Sequence, residues 1–144
     1  MRRLTGKHLM LDAYVSDPAV FVPSTLIRVC KIVVAELGMT LLGEPIVLEV
    51  PSTDSLLDSV QDEGGISVIV PITTSHLSIH AWPLRSAMMM DVFSCRSFDA
   101  DHAVQILKAE MEITDCIVRL VDRKDPRSAL PEKAQNHSYF PWNR

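Results

Sequence analysis

Apolar and polar positions along the chain switch between a period of two and a period near 3.6, and the switches mark its elements. Residues Lys7 to Val15 carry β-compatible apolar positions and predict a first strand, ended by the turn signal Ser16-Asp17-Pro18. From Ser24 to Leu37 the period lengthens. Leu26, Val29/Cys30, Val33/Val34 and Leu37 share one helical face, while Arg28, Lys31 and Glu36 occupy the rest, and Gly38 supplies the C-terminal stop. Met39 to Val50 predicts a second strand region that Gly43 and Pro45 break or confine to an edge. Pro51 to Gly65 is a polar loop, long enough to suggest a functional role.

Period two then returns in three successive runs, Ile66 to Thr73, Ser75 to Trp82 and Ala87 to Cys95. Asp99 is placed to cap a second helix, in which Ala103, Ile106/Leu107 and Met111 face the core, and Thr114 to Val121 reads as a last strand. The order β-α-β-β-β-β-α-β, with hairpin-length connections in the middle, predicts an α+β fold. It is a two-layer sandwich with a mostly antiparallel sheet and two helices on one face. Residues 1–122 form one domain in this reading. Residues 123–144 form a polar, proline-containing tail in which Tyr139, Phe140 and Trp142 are the residues able to dock.

Composition narrows the function classes. The chain has 144 residues, 47% of them apolar and 22% charged, with a net charge of −4. One core and one domain suit that length. Without a basic cluster beyond Arg2, Arg3 and Lys7, a nucleic-acid partner is not expected. The two N-terminal arginines are followed by an apolar run broken at Asp12, so no signal peptide is expected, and no apolar stretch reaches the length of a membrane span. Cys30, Cys95 and Cys116 fit neither a zinc motif nor a disulfide framework, which points to a reducing cytoplasm.

The chemistry-bearing residues gather between Gly64 and Arg96. A hydroxyl at Ser75, imidazoles at His76 and His80 and a thiol at Cys95 on adjacent strands suggest covalent chemistry. His76 and His80 have the i, i+4 spacing of a helical zinc pair. The alternation around them predicts a strand, which starts the two rings about 13 Å apart and excludes one shared metal. No metal site is expected. The hydrolase elbow G-x-S-x-G is absent around Ser75, and a hydroxyl between two strands is commonly a turn former.

A longer pattern changes the meaning of those residues. Ser67 stands in a strand, followed by Ser75-His76-Leu77-Ser78-Ile79-His80-Ala81-Trp82-Pro83 and then by Asp91-Val92-Phe93-Ser94-Cys95. This resembles the S-adenosylmethionine decarboxylase family, self-processing pyruvoyl enzymes of polyamine synthesis. Their bacterial and archaeal pattern is a serine, then Glu-Ser-His-x-(Ser/Thr)-Ile-His-Thr-Trp-Pro-Glu, then Asp-x-Phe-(Thr/Ser)-Cys. The spacings match without a gap, and Gly6-Lys7-His8-Leu9 is similar to the family's opening strand. The resemblance implies cleavage between Thr74 and Ser75, with Ser75 as the precursor of a covalent pyruvoyl group. It implies that His80 and Ser67 assist processing by proton transfer and hydrogen bonding. Cys95 matches the acid that reprotonates the substrate carbon. A homodimer of cleaved protomers, with the site near its interface, is also implied.

Recognition positions depart from the pattern. Thr74 replaces the glutamate before the cleaved serine, and Leu84 replaces the glutamate that grips the ribose after Trp82-Pro83. The adenine-stacking aromatic is missing from residues 51–65. Lost stacking and lost hydrogen bonds together weaken nucleoside binding by roughly two or more orders of magnitude. The substrate is therefore S-adenosylmethionine by family, or a basic amino acid such as ornithine or arginine, which Asp62 and Glu63 are placed to meet. The alternative reading is an uncleaved homologue serving as a binding or regulatory subunit.

Overall fold

The computed structural model describes residues 4–52 and 63–129. Asp62, most of the predicted polar loop, and Tyr139, Phe140 and Trp142 of the tail lie outside the described residues. The elements are β1 (Gly6–Val15), α1 (Pro23–Glu36), β2 (Ile46–Val50), β3 (Gly65–Ile72), β4 (Ser75–Trp82), β5 (Ala87–Ser94), α2 (Ala100–Met111) and β6 (Ile113–Arg123). All six strands form one sheet in the order β2-β3-β4-β5-β1-β6, and every neighbouring pair is antiparallel.

Alternation along each strand sends one set of side chains to the helices. Leu9, Leu11, Ala13 and Val15 of β1, Val68, Val70 and Ile72 of β3, Leu77, Ile79 and Ala81 of β4, and Met88, Met90 and Val92 of β5 are buried on that face. Helix α1 covers them with Leu26, Val29, Cys30, Val33 and Val34, and α2 with Ala103, Leu107 and Met111. Both helices begin and end for local reasons. Pro23 opens α1 at a position where its missing N–H has no helical partner anyway, and Gly38, at φ 63°, follows its end in the left-handed region. Asp99 caps α2 by accepting the His102 N–H at 3.0 Å, as its sequence position predicts.

The second strand is shorter than its pattern suggests. Only Ile46–Val50 pairs as a strand, while Leu41 makes a single antiparallel bridge to Ile72, because Gly43 and Pro45 interrupt the ladder between them. Strand β6 is longer than predicted, running to Arg123. Opposite the helices, the sheet's second face carries no covering element among the described residues. Leu48 and Met89 stand 57% and 49% exposed on it, beside His8, His76, His80 and Trp82. Among the described residues no helix is long and apolar enough to cross a membrane.

Candidate active site

Strands β3 and β4 are joined by the two-residue turn Thr73-Thr74, which places Ser75 opposite Ile72 on one side and opposite Ser94 of β5 on the other. Both flanks of this tip are tied down. The Thr73 N–H donates to the Thr40 carbonyl at 3.0 Å, and the Cys95 N–H donates to the Thr74 carbonyl at 3.0 Å. The second bond falls on the carbonyl of the Thr74–Ser75 peptide itself. Ser94 is fully buried; its Oγ donates to Thr74 Oγ1 at 3.0 Å and accepts the Arg96 N–H at 3.0 Å.

Ser75 has φ 152°, a region L-residues rarely adopt. The conformation has a direct chemical reading. Tetrahedral geometry sets Cβ about 120° from the carbonyl carbon around the N–Cα bond, so this φ brings Cβ to within about 30° of eclipsing the preceding carbonyl carbon. At the ordinary φ near −60° the two would be anti. The near-eclipsed arrangement is the one a five-membered ring through Oγ, Cβ, Cα, N and the Thr74 carbonyl carbon requires.

A second polar pair lies along the same hairpin. Ser67 of β3 and His80 of β4 are register partners, and Ser67 Oγ sits 2.8 Å from His80 Nδ1. They open into a cleft of about 450 Å³ lined by Val50, Gly64, Gly65, Ile66, Ala81 and Trp82. The cleft wall depends on Gly64, whose φ is 71°; a Cβ there would lie 2.5 Å from the Val50 carbonyl oxygen. His80 is five positions from Ser75. An odd separation puts the two side chains on opposite faces of β4, and five residues span about 16 Å of strand. In one chain, Ser67 and His80 are together, and Ser75 is elsewhere.

Beyond the cleft the chain makes a short turn at Pro83–Arg85, with Leu84 64% exposed. Arg85 grips Glu63 through two hydrogen bonds, Nη2 to Oε1 at 2.6 Å and Nε to Oε2. That hydrogen-bonded guanidinium holds the Glu63 carboxyl below its ordinary range. The acidic loop residue predicted to meet a substrate cation therefore already has an intramolecular one.

Cys95 lies exposed immediately after β5, next to the turn that carries Ser75. Cys30 is buried in α1, where desolvation pushes its thiol up to about 12 and leaves it inert. His76 packs its ring 5.8 Å from that of Phe93, and His8 Nε2 lies 2.7 Å from Asp91 Oδ1. Among the described residues no group of three or more His, Cys, Asp or Glu side chains converges to hold a metal. The structure thus gathers Thr74, Ser75 and Cys95 at the hairpin tip, and Ser67, His80 and Trp82 around the cleft. Sequence reasoning does not single out the hold on Thr74 by the Ser94 hydroxyl and the Cys95 amide. Its one signal is the hydroxyl residue preceding the cysteine in the Asp91 to Cys95 run.

Comparison with known proteins agrees with the motif. The model of the S-adenosylmethionine decarboxylase family matches residues 7–124. An arginine decarboxylase proenzyme from Aeropyrum pernix is 33% identical over 70 residues, 48% of this chain and 53% of its own length. The chain thus spans about half the length of the arginine decarboxylase relatives it matches. An S-adenosylmethionine decarboxylase proenzyme from Parasynechococcus marenigrum is 26% identical over 125 residues, 85% of this chain and 88% of its own. In fold, the chain is similar to the crystal structure of the adenosylmethionine decarboxylase from Aquifex aeolicus. The TM-score is 0.63 and the identity 20%, over 85% of this chain and 93% of that one. With the family model covering most of its length, the chain belongs to the S-adenosylmethionine decarboxylase family, a family of decarboxylase enzymes.

Proposed function

We propose that the chain is a self-processing proenzyme that cleaves between Thr74 and Ser75 to become a pyruvoyl-dependent decarboxylase of a basic amino acid, arginine or ornithine. The observation that carries the cleavage is the pairing of a near-eclipsed Ser75 with a Thr74 carbonyl that already accepts the Cys95 N–H.

Ser75 Oγ attacks the Thr74 carbonyl carbon, and the Cys95 N–H stabilises the charge that develops on its oxygen. The carbon–nitrogen bond breaks, the nitrogen takes the proton lost by Oγ, and an ester joins the two segments. Loss of the Ser75 α-proton then expels the Thr74 carboxylate, and water releases ammonia to leave a pyruvoyl group at the new N-terminus. The tip fits that product, since Ser75 opens β4 and the break leaves every strand whole. The pyruvoyl group supplies an electron sink for loss of carbon dioxide from an amino acid, which no natural side chain provides. Cys95, exposed beside the tip, is the acid that protonates the substrate carbon.

Ser67 and His80 are the processing pair, and their separation from Ser75 supports a homodimer. A second copy would have to present its own Ser67 and His80 at the hairpin tip that carries this chain's Ser75, at the end of the uncovered sheet face. The exposed Ile46, Leu48 and Met89 give that face apolar surface to bury.

The substrate assignment rests on what the cleft lacks. Leu84 cannot accept hydrogen bonds from ribose hydroxyls, and no aromatic occupies residues 51–65. The relatives named arginine decarboxylase proenzymes support this choice. Glu63 serves as counter-ion only by exchanging Arg85 for the substrate cation. S-adenosylmethionine is the second reading, favoured by relatives named S-adenosylmethionine decarboxylase proenzymes that align over 85% of the chain.

Intact-mass measurement of purified protein, with carbon dioxide release assayed in parallel on arginine, ornithine, lysine and S-adenosylmethionine, tests both parts. Fragments divided at Thr74/Ser75 and turnover of arginine or ornithine are expected. A chain that stays whole, with Ser75→Ala no different, overturns self-processing and favours a binding subunit. Strong preference for S-adenosylmethionine overturns the substrate assignment alone.

A further inference from the structure

We propose that Ser94 is a positioning residue for self-cleavage, acting through the Thr74 side chain to hold the scissile peptide in its reactive conformation. The inference rests on the self-processing reading above and extends it to a residue outside the reacting atoms.

A strained backbone angle persists only where its surroundings over-determine it. At Ser75 the surroundings are three consecutive residues of the β5 end. The Cys95 N–H fixes the Thr74 carbonyl oxygen, and the Ser94 hydroxyl fixes Thr74 Oγ1, both at 3.0 Å. Ser94 is itself immobilised, because its oxygen also accepts the Arg96 N–H and none of its surface is exposed. Two fixed points on Thr74 set the plane of the Thr74–Ser75 peptide, so rotation about the Ser75 N–Cα bond takes up the mismatch. The resulting φ of 152° sets Cβ nearly over the carbonyl carbon that Oγ attacks. Holding a nucleophile in a near-attack arrangement removes part of the entropic barrier before reaction begins.

A buried hydroxyl at the end of a strand can have a purely structural role, as a partner for the Arg96 N–H. The Thr74 bond separates the two roles. It leaves β5, crosses to the scissile residue and adds nothing to the ladder. It also gives the threonine before Ser75 a function: this side chain has the hydroxyl that Ser94 needs, short enough to reach it from the turn.

The test follows precursor made by cell-free translation, with the appearance of the two fragments timed on denaturing gels. Ser94→Ala and Thr74→Val are each expected to slow cleavage by about 3- to 10-fold, the range of one hydrogen bond. The double variant is expected to be no slower than either single, because both remove the same contact. Ser94→Thr should restore the rate. Hydroxylamine, which cuts an accumulated ester, should not accelerate the slowed variants, since the step affected precedes the ester. Thr74→Val lies on the turn and probes the contact without emptying a buried position, should Ser94→Ala fail to fold. Wild-type rates in Ser94→Ala or Thr74→Val, additive slowing in the double variant, or rapid cutting by hydroxylamine would each overturn the proposal. Failure of the wild-type precursor to cleave overturns the self-processing reading and the positioning role with it.

Discussion

The backbone amide of Cys95 donates its hydrogen to the carbonyl oxygen of Thr74, joining the residue with the proposed acid side chain to the bond that must break. In the proposed reaction one residue would thereby serve two steps through different atoms. Cys95→Ala keeps the amide and should cleave normally while losing turnover. Cys95→Pro removes the N–H and should slow cleavage by about 100-fold or more, as for other lost oxyanion donors. Fragment formation on gels and carbon dioxide release, measured on both variants, separate the two roles. Equal cleavage by the proline variant would remove the amide from the mechanism.

Ser67 and His80 cannot reach Ser75 within their own chain, so a chain that lacks the pair should be rescued by one that lacks only the serine. His80→Ala keeps a good Ser75, and Ser75→Ala keeps a good Ser67–His80 pair. Co-expressed with distinguishable tags, the His80→Ala chain is expected to cleave only in the presence of its partner. If it stays whole in the mixed dimer, processing is not shared between copies.

Cys30 and Cys95 should differ sharply in alkylation. Burial pushes the Cys30 thiol up to about 12, so almost none of it is thiolate at neutral pH, whereas Cys95 lies exposed. Iodoacetamide at neutral pH, followed by peptide mass spectrometry, should modify Cys95 in the folded chain and Cys30 only after denaturation. Modification of Cys30 under native conditions would contradict its packing in α1.

The Glu63–Arg85 pair has a defined pH signature. Its carboxyl is held below the ordinary range by hydrogen bonding and charge attraction from Arg85, so the folded state binds the proton less well than the unfolded state. The stabilisation is complete above the unfolded value of about 4.3 and disappears as pH falls through the lower folded value. In the uncleaved Ser75→Ala background, the difference in melting temperature between the chain that keeps Glu63 and its Glu63→Gln variant should be constant near neutrality and vanish on acidification. Added salt should shrink it, because the arginine is half exposed. A difference that grows as pH falls would reverse the assigned sign.

Most of the fold is legible in the sequence because its signals are local. The helical face of Leu26 to Val34, the Asp99 cap and the alternation through β3, β4 and β5 each depend on neighbours within a few residues. The Met39 to Val50 pattern overstates its strand, since apolar residues around Gly43 and Pro45 look strand-like while their backbone cannot continue a ladder. At the candidate site, residue identities are legible from the motif, but their grouping is not. Ser67 and His80 meet through strand register, and Thr74 is held by residues twenty positions away. Arg85 neutralises Glu63 across a similar gap, a long-range contact with no sequence signal.

The strand order has a consequence for the proposed cleavage. Cutting at Thr74/Ser75 leaves β1, β2 and β3 on one piece and β4, β5 and β6 on the other, yet β1 lies between β5 and β6. The two pieces would be interlaced, each holding a strand inside the other's territory. Separating them means breaking the sheet in three places, so the nicked protein stays together without the covalent link. Once unfolded, it would have to reassemble from two molecules, a concentration-dependent task the intact chain never faced. Under that proposal folding would have to come first and the cut second, and the cleaved protein would keep a shape it could reach easily only once.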